Sequence, residues 1–216
     1  GGPLNDQIGS DVGRSLWYVY NADTLDEGTT GILGYGAQPP AFGATILCGM
    51  FRDGDGLDNP LTTDANLALA QHGSVYPGWG DAYGDGIIDN ERYGLSHFSA
   101  FPGSGIMGTL DPQAASQYYD YLRGNWADGT SLLYGGTGHV SDPAADPNTV
   151  VQHLYPGASD PLGFSTGGVP QAPWSQVSAG QVGGDRRGVG SMGPFTLLPG
   201  DIHRVMVAFV YARAAS

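Results

Sequence analysis

The sequence contains no lysine, because all eight of its basic residues are arginine. Acidic residues number 21, so the formal net charge is −13. A chain with this balance has no basic patch to neutralise the phosphates of a nucleic acid or the headgroups of an anionic membrane. We therefore expect neither nucleic acid nor a membrane surface as a partner.

Long apolar runs and a set of cysteines are also missing. No stretch reaches the ~18 apolar residues of a transmembrane helix, and no signal peptide is visible, so we expect no membrane insertion. The one cysteine, Cys48, has no partner for an internal disulfide, and its apolar neighbours (AFGATILCGMF) predict a buried thiol in a strand. The chain does not begin with Met, and we expect it to be a fragment of a longer polypeptide.

Glutamate is nearly absent, since Glu27 and Glu91 are the only two among the 21 acidic residues. Aspartate is a turn former and a ligand of hard cations, whereas glutamate favours helices. Glycine (37) and proline (15) are also abundant, about twice their usual combined share. With 40% hydrophobic and 11% aromatic residues, the chain can still build a core. The composition predicts a β-rich domain with long Gly/Pro-rich loops.

The clearest strands are aromatic or β-branched segments at 15–22 and 43–51, and a two-strand unit at 193–214 around the turn at Pro199. Most of 127–192 consists of turn signals. A loop of that length is suspicious unless short strands such as SLLYGG and TVVQHLY lie within it. We expect one mainly β domain over 1–216, with a β-sandwich-like core.

One main helix is predicted at about 111–124. Asp111 is a good N-cap, Pro112 suits the first helical position, and Gly124 is a suitable residue to end the helix. A second, shorter helix is predicted at 62–73.

Two acidic, glycine-containing stretches are the strongest functional signal. In GDAYGDGIIDNERYG (80–94), Asp81, Asp85 and Asp89 fall at positions 1, 5 and 9 of an EF-hand-type calcium loop, and a glycine stands at position 6. Tyr83 and Arg92 stand where that loop has oxygen ligands, so this is a variant loop. The second stretch, DGDGLDN (53–59), resembles the short calcium loops of secreted modules.

These loops predict a calcium site, because Ca²⁺ takes six to eight hard oxygens in flexible geometry. No Cys or His stands close enough in sequence to favour zinc. The second loop supplies either a second site or the other half of the same one. Alternatively, Arg52 and Arg92 neutralise the loops without a metal. The predicted ligands are Asp53, Asp55, Asp58, Asp81, Asp85, Asp89 and Glu91.

Two motifs match catalytic or cofactor patterns without their structural context. GFSTG (163–167) has the letters of a nucleophile elbow but neither the preceding strand nor the following helix. GSGIMG (103–108) matches a dinucleotide-binding loop but follows Phe101-Pro102 and has no βαβ unit. We assign no catalytic residue and favour a non-enzyme.

A different function class stays open: a secreted carbohydrate-binding module or glycan-active hydrolase. It would use loop carboxylates such as Asp142 and Asp146, together with exposed aromatic residues. The same two carboxylates with His139 could bind a metal, although a surface hydrogen bond of His139 is the simpler expectation. A third reading is an inert spacer whose acidic loops are balanced by arginine.

Several stretches together resemble a region of large secreted proteins of Bacteroidota. These stretches are PPAFGATILCG, YGDGIIDNERYGLSHF, YYDYLRGNWADGTSLLYGG and DRRGVGSMGPFTLLPGD. Such proteins are type IX secretion cargo, and some are grouped with gliding-motility proteins. The resemblance implies export and display at the cell surface, and no enzymatic activity. We therefore expect a calcium-stabilised structural or adhesive module in an extracellular location, with another surface protein or a glycan as partner. The oligomeric state stays open.

Overall fold

The computed structural model describes residues 5–28, 30–59, 80–102, 105–106 and 108–213. The strands are β1 (Asp6–Asp11), β2 (Leu16–Asn21), β3 (Leu25–Asp26), β4 (Gly36–Ala37), β5 (Ala41–Cys48), β6 (His97–Pro102), β7 (Leu133–Tyr134), β8 (Asp146–Val150), β9 (Arg186–Ser191) and β10 (Met206–Ala212). One α-helix, α1 (Ala115–Leu122), lies between β6 and β7. The fold of the described residues is therefore mainly β with one helix, as predicted. The predicted helix at 62–73 lies outside these residues.

The largest sheet is antiparallel and has the strand order β1-β2-β5-β10. The aromatic and branched residues of β2 (LWYVYN) form its second strand, as the pattern predicts. β1 (DQIGSD) is too polar to be predicted from its sequence, yet its residues Gln7 to Ser10 are all buried. Pairing with β2 satisfies the β1 backbone, and this pairing places Ile8 opposite Val19.

A two-stranded ribbon of β6 and β9 packs against this sheet. Gly188 and Gly190 of β9 permit the close approach. A side chain on Gly188 would meet Ile8 and Phe98 at 2.9 Å, and one on Gly190 would meet Trp17 at 2.8 Å. The core lies at this contact and continues under α1 and the following loops. Its larger members are Ile8, Leu95, Phe98, Phe101, Tyr121, Trp126, Leu132, Leu154, Tyr155 and Trp174. A full second sheet of a sandwich stays a prediction.

Helix α1 begins four residues later than Asp111. The Asp111 carboxylate forms an ion pair with Arg187 and does not cap the helix. The Gln117 side chain instead accepts hydrogen bonds from the backbone N–H groups of Gln113 (2.7 Å) and Ala114 (3.2 Å). After the helix, Gly124 has a left-handed backbone conformation (φ 73°), so its predicted role in ending the helix is confirmed.

The turn-rich region 127–192 contains the short strands β7 and β8 and the longer strand β9. β7 lies within the predicted stretch SLLYGG, whereas β8 overlaps the predicted stretch TVVQHLY only at Thr149 and Val150. Buried side chains hold the loops between them: the Trp126 indole Nε1 donates to Gly138 O (2.8 Å), and the Tyr155 hydroxyl donates to Thr137 O (3.2 Å). Trp126 and Tyr155 thus anchor these loops to the core, because each ring is buried and its polar atom is hydrogen-bonded to a loop carbonyl.

The C-terminal segment differs from its prediction. The second half of the expected two-strand unit is β10, but residues 193–198 are not a strand. β10 is at the edge of its sheet, and Phe209 is 73% exposed. Cys48, at the end of β5, is half-buried, so the strand prediction is correct and the predicted burial is wrong. Among the described residues, no helix has the length and apolar character needed to cross a membrane.

Candidate metal centre

The two acidic loops predicted as ligand loops lie side by side. The loop at 52–59 follows β5, and the loop at 80–92 precedes β6. Backbone hydrogen bonds join them, from Arg52 N to Glu91 O (2.9 Å), from Asp89 N to Leu57 O (3.1 Å) and from Gly84 N to Asn59 O (2.9 Å). They therefore form one unit although about 30 residues separate them in sequence. We call this unit, 52–59 with 80–92, the loop pair.

Two aspartates of the loop pair cap the turn of the opposite loop. The Asp58 carboxylate accepts hydrogen bonds from Gly84 N (2.9 Å) and Gly86 N (2.7 Å). In return, Asp89 Oδ1 accepts from Asp55 N (2.7 Å) and Gly56 N (2.8 Å). Each carboxylate thus completes a turn that is built by the other loop.

The two turns also match internally. Asp55 Oδ1 accepts from Leu57 N (3.0 Å), and Asp85 Oδ1 accepts from Ile87 N (2.9 Å). Gly56 and Gly86 both have positive φ, at 83° and 92°. This backbone conformation favours glycine. The match was detectable in the sequence as DGLDN and DGIIDN, a repeat obscured by one extra residue in the second copy.

Asn59 and Asn90 end these matched turns, and the sequence analysis missed both. The Asn59 amide Nδ2 donates to Asp55 Oδ2 (3.3 Å), and the Asn90 amide Nδ2 donates to Asp85 Oδ2 (2.9 Å). The other amide atom, Oδ1, is buried in each residue and has no hydrogen-bond partner among the described residues. A buried acceptor left unpaired costs about 1–3 kcal/mol.

The chemistry of the donor atoms in the loop pair fits a hard cation. Amide and carboxylate oxygens are the groups that calcium prefers, and no nitrogen or sulfur ligand is needed. Asn59 is 4% exposed, so solvent does not easily satisfy its Oδ1. No three His, Cys, Asp or Glu side chains of the described residues converge into a ready metal cage. Hydrogen bonds instead bring two aspartates and one asparagine together at each turn.

The remaining predicted ligands have separate roles. Glu91 is 2% exposed, and its Oε1 accepts from Asn59 N. Asp81 Oδ1 accepts from Ala82 N (2.9 Å), and Asp81 is exposed. The Asp53 carboxylate accepts from the Thr196 hydroxyl (2.6 Å) and Thr196 N (2.7 Å), and these hydrogen bonds lower its pKa. Asp53 therefore links the loop pair to the segment before β10.

The two arginines beside the loops were the predicted alternative to a metal. The Arg92 guanidinium lies 3.6 Å from the centroid of the Phe51 ring and donates to the carbonyl oxygens of Gly49 (2.9 Å) and Arg204 (3.4 Å). Among the described residues it forms no ion pair with a carboxylate. Arg52 donates to the Tyr83 hydroxyl (3.3 Å) and lies over the Tyr93 ring. Arg92 therefore does not neutralise the loop pair by direct contact.

The G-x-S-x-G motif has a structural role in the core. Ser165 is 3% exposed, and its hydroxyl donates to Asp160 Oδ2 at 2.6 Å. Asp160 also accepts from the backbone N–H groups of Phe164 and Ser165. These contacts fix a short 3₁₀ turn, Phe164–Thr166, and bury the hydroxyl. Part of the G-x-G-x-x-G motif at 103–108 lies outside the described residues.

His139 and its neighbouring carboxylates form no shared site. The buried His139 ring contacts Asp128 Oδ2 (3.0 Å) and Ser141 Oγ (2.8 Å). Asp142 accepts from Ala144 N and Thr137 N, and Asp146 from the Thr149 hydroxyl and Asn148 N, so the pKa of both carboxylates is lowered. A glycosidase needs one carboxyl group with a raised pKa as its acid. The pKa is raised in neither Asp142 nor Asp146.

Trp126 (1% exposed) and Trp174 (4% exposed) are core residues, and Trp17 is half-buried. The fourth tryptophan, Trp79, lies outside the described residues. The chain matches no family model, and comparison with curated proteins and with solved structures gave no match.

Proposed function

We propose that the chain is a non-catalytic, calcium-stabilised structural or adhesive module of a secreted or cell-surface protein. The observation that supports this best is the pair of buried amide oxygens, Asn59 Oδ1 and Asn90 Oδ1, at the ends of two matched acidic turns; neither has a donor in the part of the chain that the structure describes. A hard cation would satisfy both atoms and would also reduce the repulsion among the loop carboxylates.

The residues that would hold calcium are those of the two turns. Asp55, Asp89 and Asn59 serve the first turn, and Asp85, Asp58 and Asn90 serve the second, with Glu91 adjoining through Asn59 N. Asp53 and Asp81 are outer residues, because their carboxylates bind Thr196 and Ala82. When bound, the ion would supply positive charge and would link the two loops through the oxygens that coordinate it, without a chemical step.

The negative charge of the loop pair is a reason why a bound cation would stabilise it. Seven carboxylates lie in its two loops, and the Arg92 guanidinium is directed to backbone carbonyls instead. An ion at ten times its dissociation constant would add about 1.4 kcal/mol to the free energy of unfolding. That is a useful part of a total of about 5–15 kcal/mol.

The proposed location is extracellular or at the cell surface. Calcium sites of extracellular modules have dissociation constants of about 10⁻⁴–10⁻³ M, and exported proteins meet calcium at such levels. The resemblance to secreted Bacteroidota proteins supports the same location. An adhesive role would make another surface protein or a glycan the partner.

Thermal unfolding in calcium and in EGTA, with elemental analysis of the purified protein, tests the proposal. We expect calcium to raise the unfolding midpoint by several degrees in wild type and by much less in Asp85→Asn. Asp201→Asn is the matched control, because Asp201 is also exposed and also accepts from a backbone N–H in a turn. Coincident melts and no bound metal would show that the loop pair is an acidic turn structure without an ion.

A further inference from the structure

We infer that the loop pair contains two quasi-equivalent calcium sites, coupled because each is completed by an aspartate from the other loop. This inference rests on the proposed calcium function. It adds a stoichiometry of two and a reciprocal effect of each ion on the affinity for the other.

The match between the turns supports two sites. Each turn has its own aspartate (Asp55 or Asp85), a left-handed glycine (Gly56 or Gly86) and a terminal asparagine bonded to that aspartate. One shared ion would need the donors of both turns to converge, yet each asparagine bonds only the aspartate of its own turn. The hydrogen bonds therefore group these side chains into two sets, one for each turn.

Asn59 provides an observation that is independent of the acidic character of the loops. It is 4% exposed, and its amide lies against Asp55 with Oδ1 buried and unpaired. An asparagine that served only as a hydrogen-bond donor would expose its Oδ1 to water. The same atom is unpaired in Asn90 at the equivalent position. Each turn therefore contains a buried amide oxygen that accepts no hydrogen bond from the described residues, although Asn90 as a whole residue is half-buried.

The exchanged aspartates supply the coupling. Asp89 caps the first turn, and its own backbone N–H bonds Leu57 O of that turn. Asp58 caps the second turn through Gly84 and Gly86. An ion that fixes Asp89 in the first site also orders the backbone that leads to Asn90 in the second. Linkage then requires the second ion to strengthen binding of the first by the same factor.

Isothermal titration of the EGTA-stripped protein with Ca²⁺ alone tests the inference. We expect two ions for wild type and one ion for each of the variants Asn59→Leu and Asn90→Leu. In both variants the remaining site should bind at least about fivefold more weakly than in wild type, within the usual range of coupling between sites. Asn148→Leu, at an exposed asparagine outside the loop pair, should behave as wild type.

The exchanged caps allow a second test, in which an aspartate is changed in addition to one asparagine. Asp58→Asn changes a residue of the first loop, yet its carboxylate serves the second turn. We expect it to weaken binding in Asn59→Leu, where only the second site remains, by at least tenfold. Near-ultraviolet circular dichroism in calcium checks that each variant is folded.

The outcomes separate this inference from the proposed function. No calcium binding by wild type would refute both. One ion in wild type, or a remaining site with wild-type affinity in both asparagine variants, would refute the two coupled sites and leave the calcium function standing.

Discussion

The loop pair and the aromatic core are stabilised in opposite ways. In the core, Trp126, Tyr121, Phe98 and Leu154 are at most 1% exposed, so the hydrophobic effect and close packing dominate there. In the loop pair, Leu57 (54% exposed) and Ile87 (58% exposed) remain in solvent, and the loops are joined by hydrogen bonds to carboxylates. A region with little apolar burial depends on its carboxylates, whereas the core depends mainly on apolar packing.

The largest expected effect comes from the core side of this comparison. Trp126→Ala removes a side chain that is 1% exposed and leaves Gly138 O without its indole donor. Replacing a buried tryptophan by alanine typically costs about 3–5 kcal/mol. Urea unfolding should show this loss equally in calcium and in EGTA. A loss that depended strongly on calcium would contradict the separation of the two regions.

The second effect concerns the dependence of core stability on pH. Burial lowers the pKa of His153 from 6.5 to about 4, and His153 Nε2 contacts Leu95 O at 3.0 Å. Between these two pH values the unfolded chain therefore binds more protons than the folded chain. The contribution of neutral His153 to the free energy of unfolding is fully present above about pH 6.5 and is lost as the pH falls towards 4. The shift corresponds to a loss on the order of 3 kcal/mol.

Urea unfolding at a series of pH values measures this loss, and His153→Gln should flatten the pH dependence. His203, which is half-buried in the segment before β10, provides the control variant His203→Gln. An unchanged pH dependence in His153→Gln would exclude His153 as its source.

The third effect belongs to the loop pair. Asp89→Ala removes the acceptor of the N–H groups of Asp55 and Gly56, and we expect a cost of about 1–2 kcal/mol, as for the loss of a helix N-cap. Hydrogen exchange should show faster exchange of these two amides and unchanged exchange of Leu154 N, which bonds Phe98 O in the core. Equal acceleration at both places would mean that the loop pair and the core unfold together.

The smallest effect lies at the link between the loop pair and the segment before β10. Thr196→Val removes the hydroxyl that donates to Asp53 and retains the backbone donor. Because the pair is exposed, we expect a change within about 0.5 kcal/mol, together with a rise in the pKa of Asp53 toward its ordinary value. NMR titration of the Asp53 carboxyl carbon measures this rise, with Asp146 as internal reference. A constant pKa would contradict the contact.

Sequence reasoning succeeded where a local pattern decides the structure. The aromatic alternation of β2 and the glycine at 124 act within a few residues, so both predictions were correct. It failed where distant residues compete. Asp111 has every feature of an N-cap, but Arg187 of β9 draws its carboxylate into an ion pair. Strand β1 has no hydrophobic pattern and exists because β2 satisfies its backbone.

The sequence by itself determined that this protein is acidic, β-rich and turn-rich, and that six of its 19 aspartates stand in two glycine-containing loops, since these properties depend on composition and local spacing. Only the tertiary structure decided that the two loops pair, that Asp58 and Asp89 each cap the turn of the opposite loop, and that the Oδ1 atoms of Asn59 and Asn90 have no hydrogen-bond partner among the described residues. Such relations depend on contacts between residues about 30 positions apart, and those contacts form only when the intervening chain brings β5 and β6 into one fold.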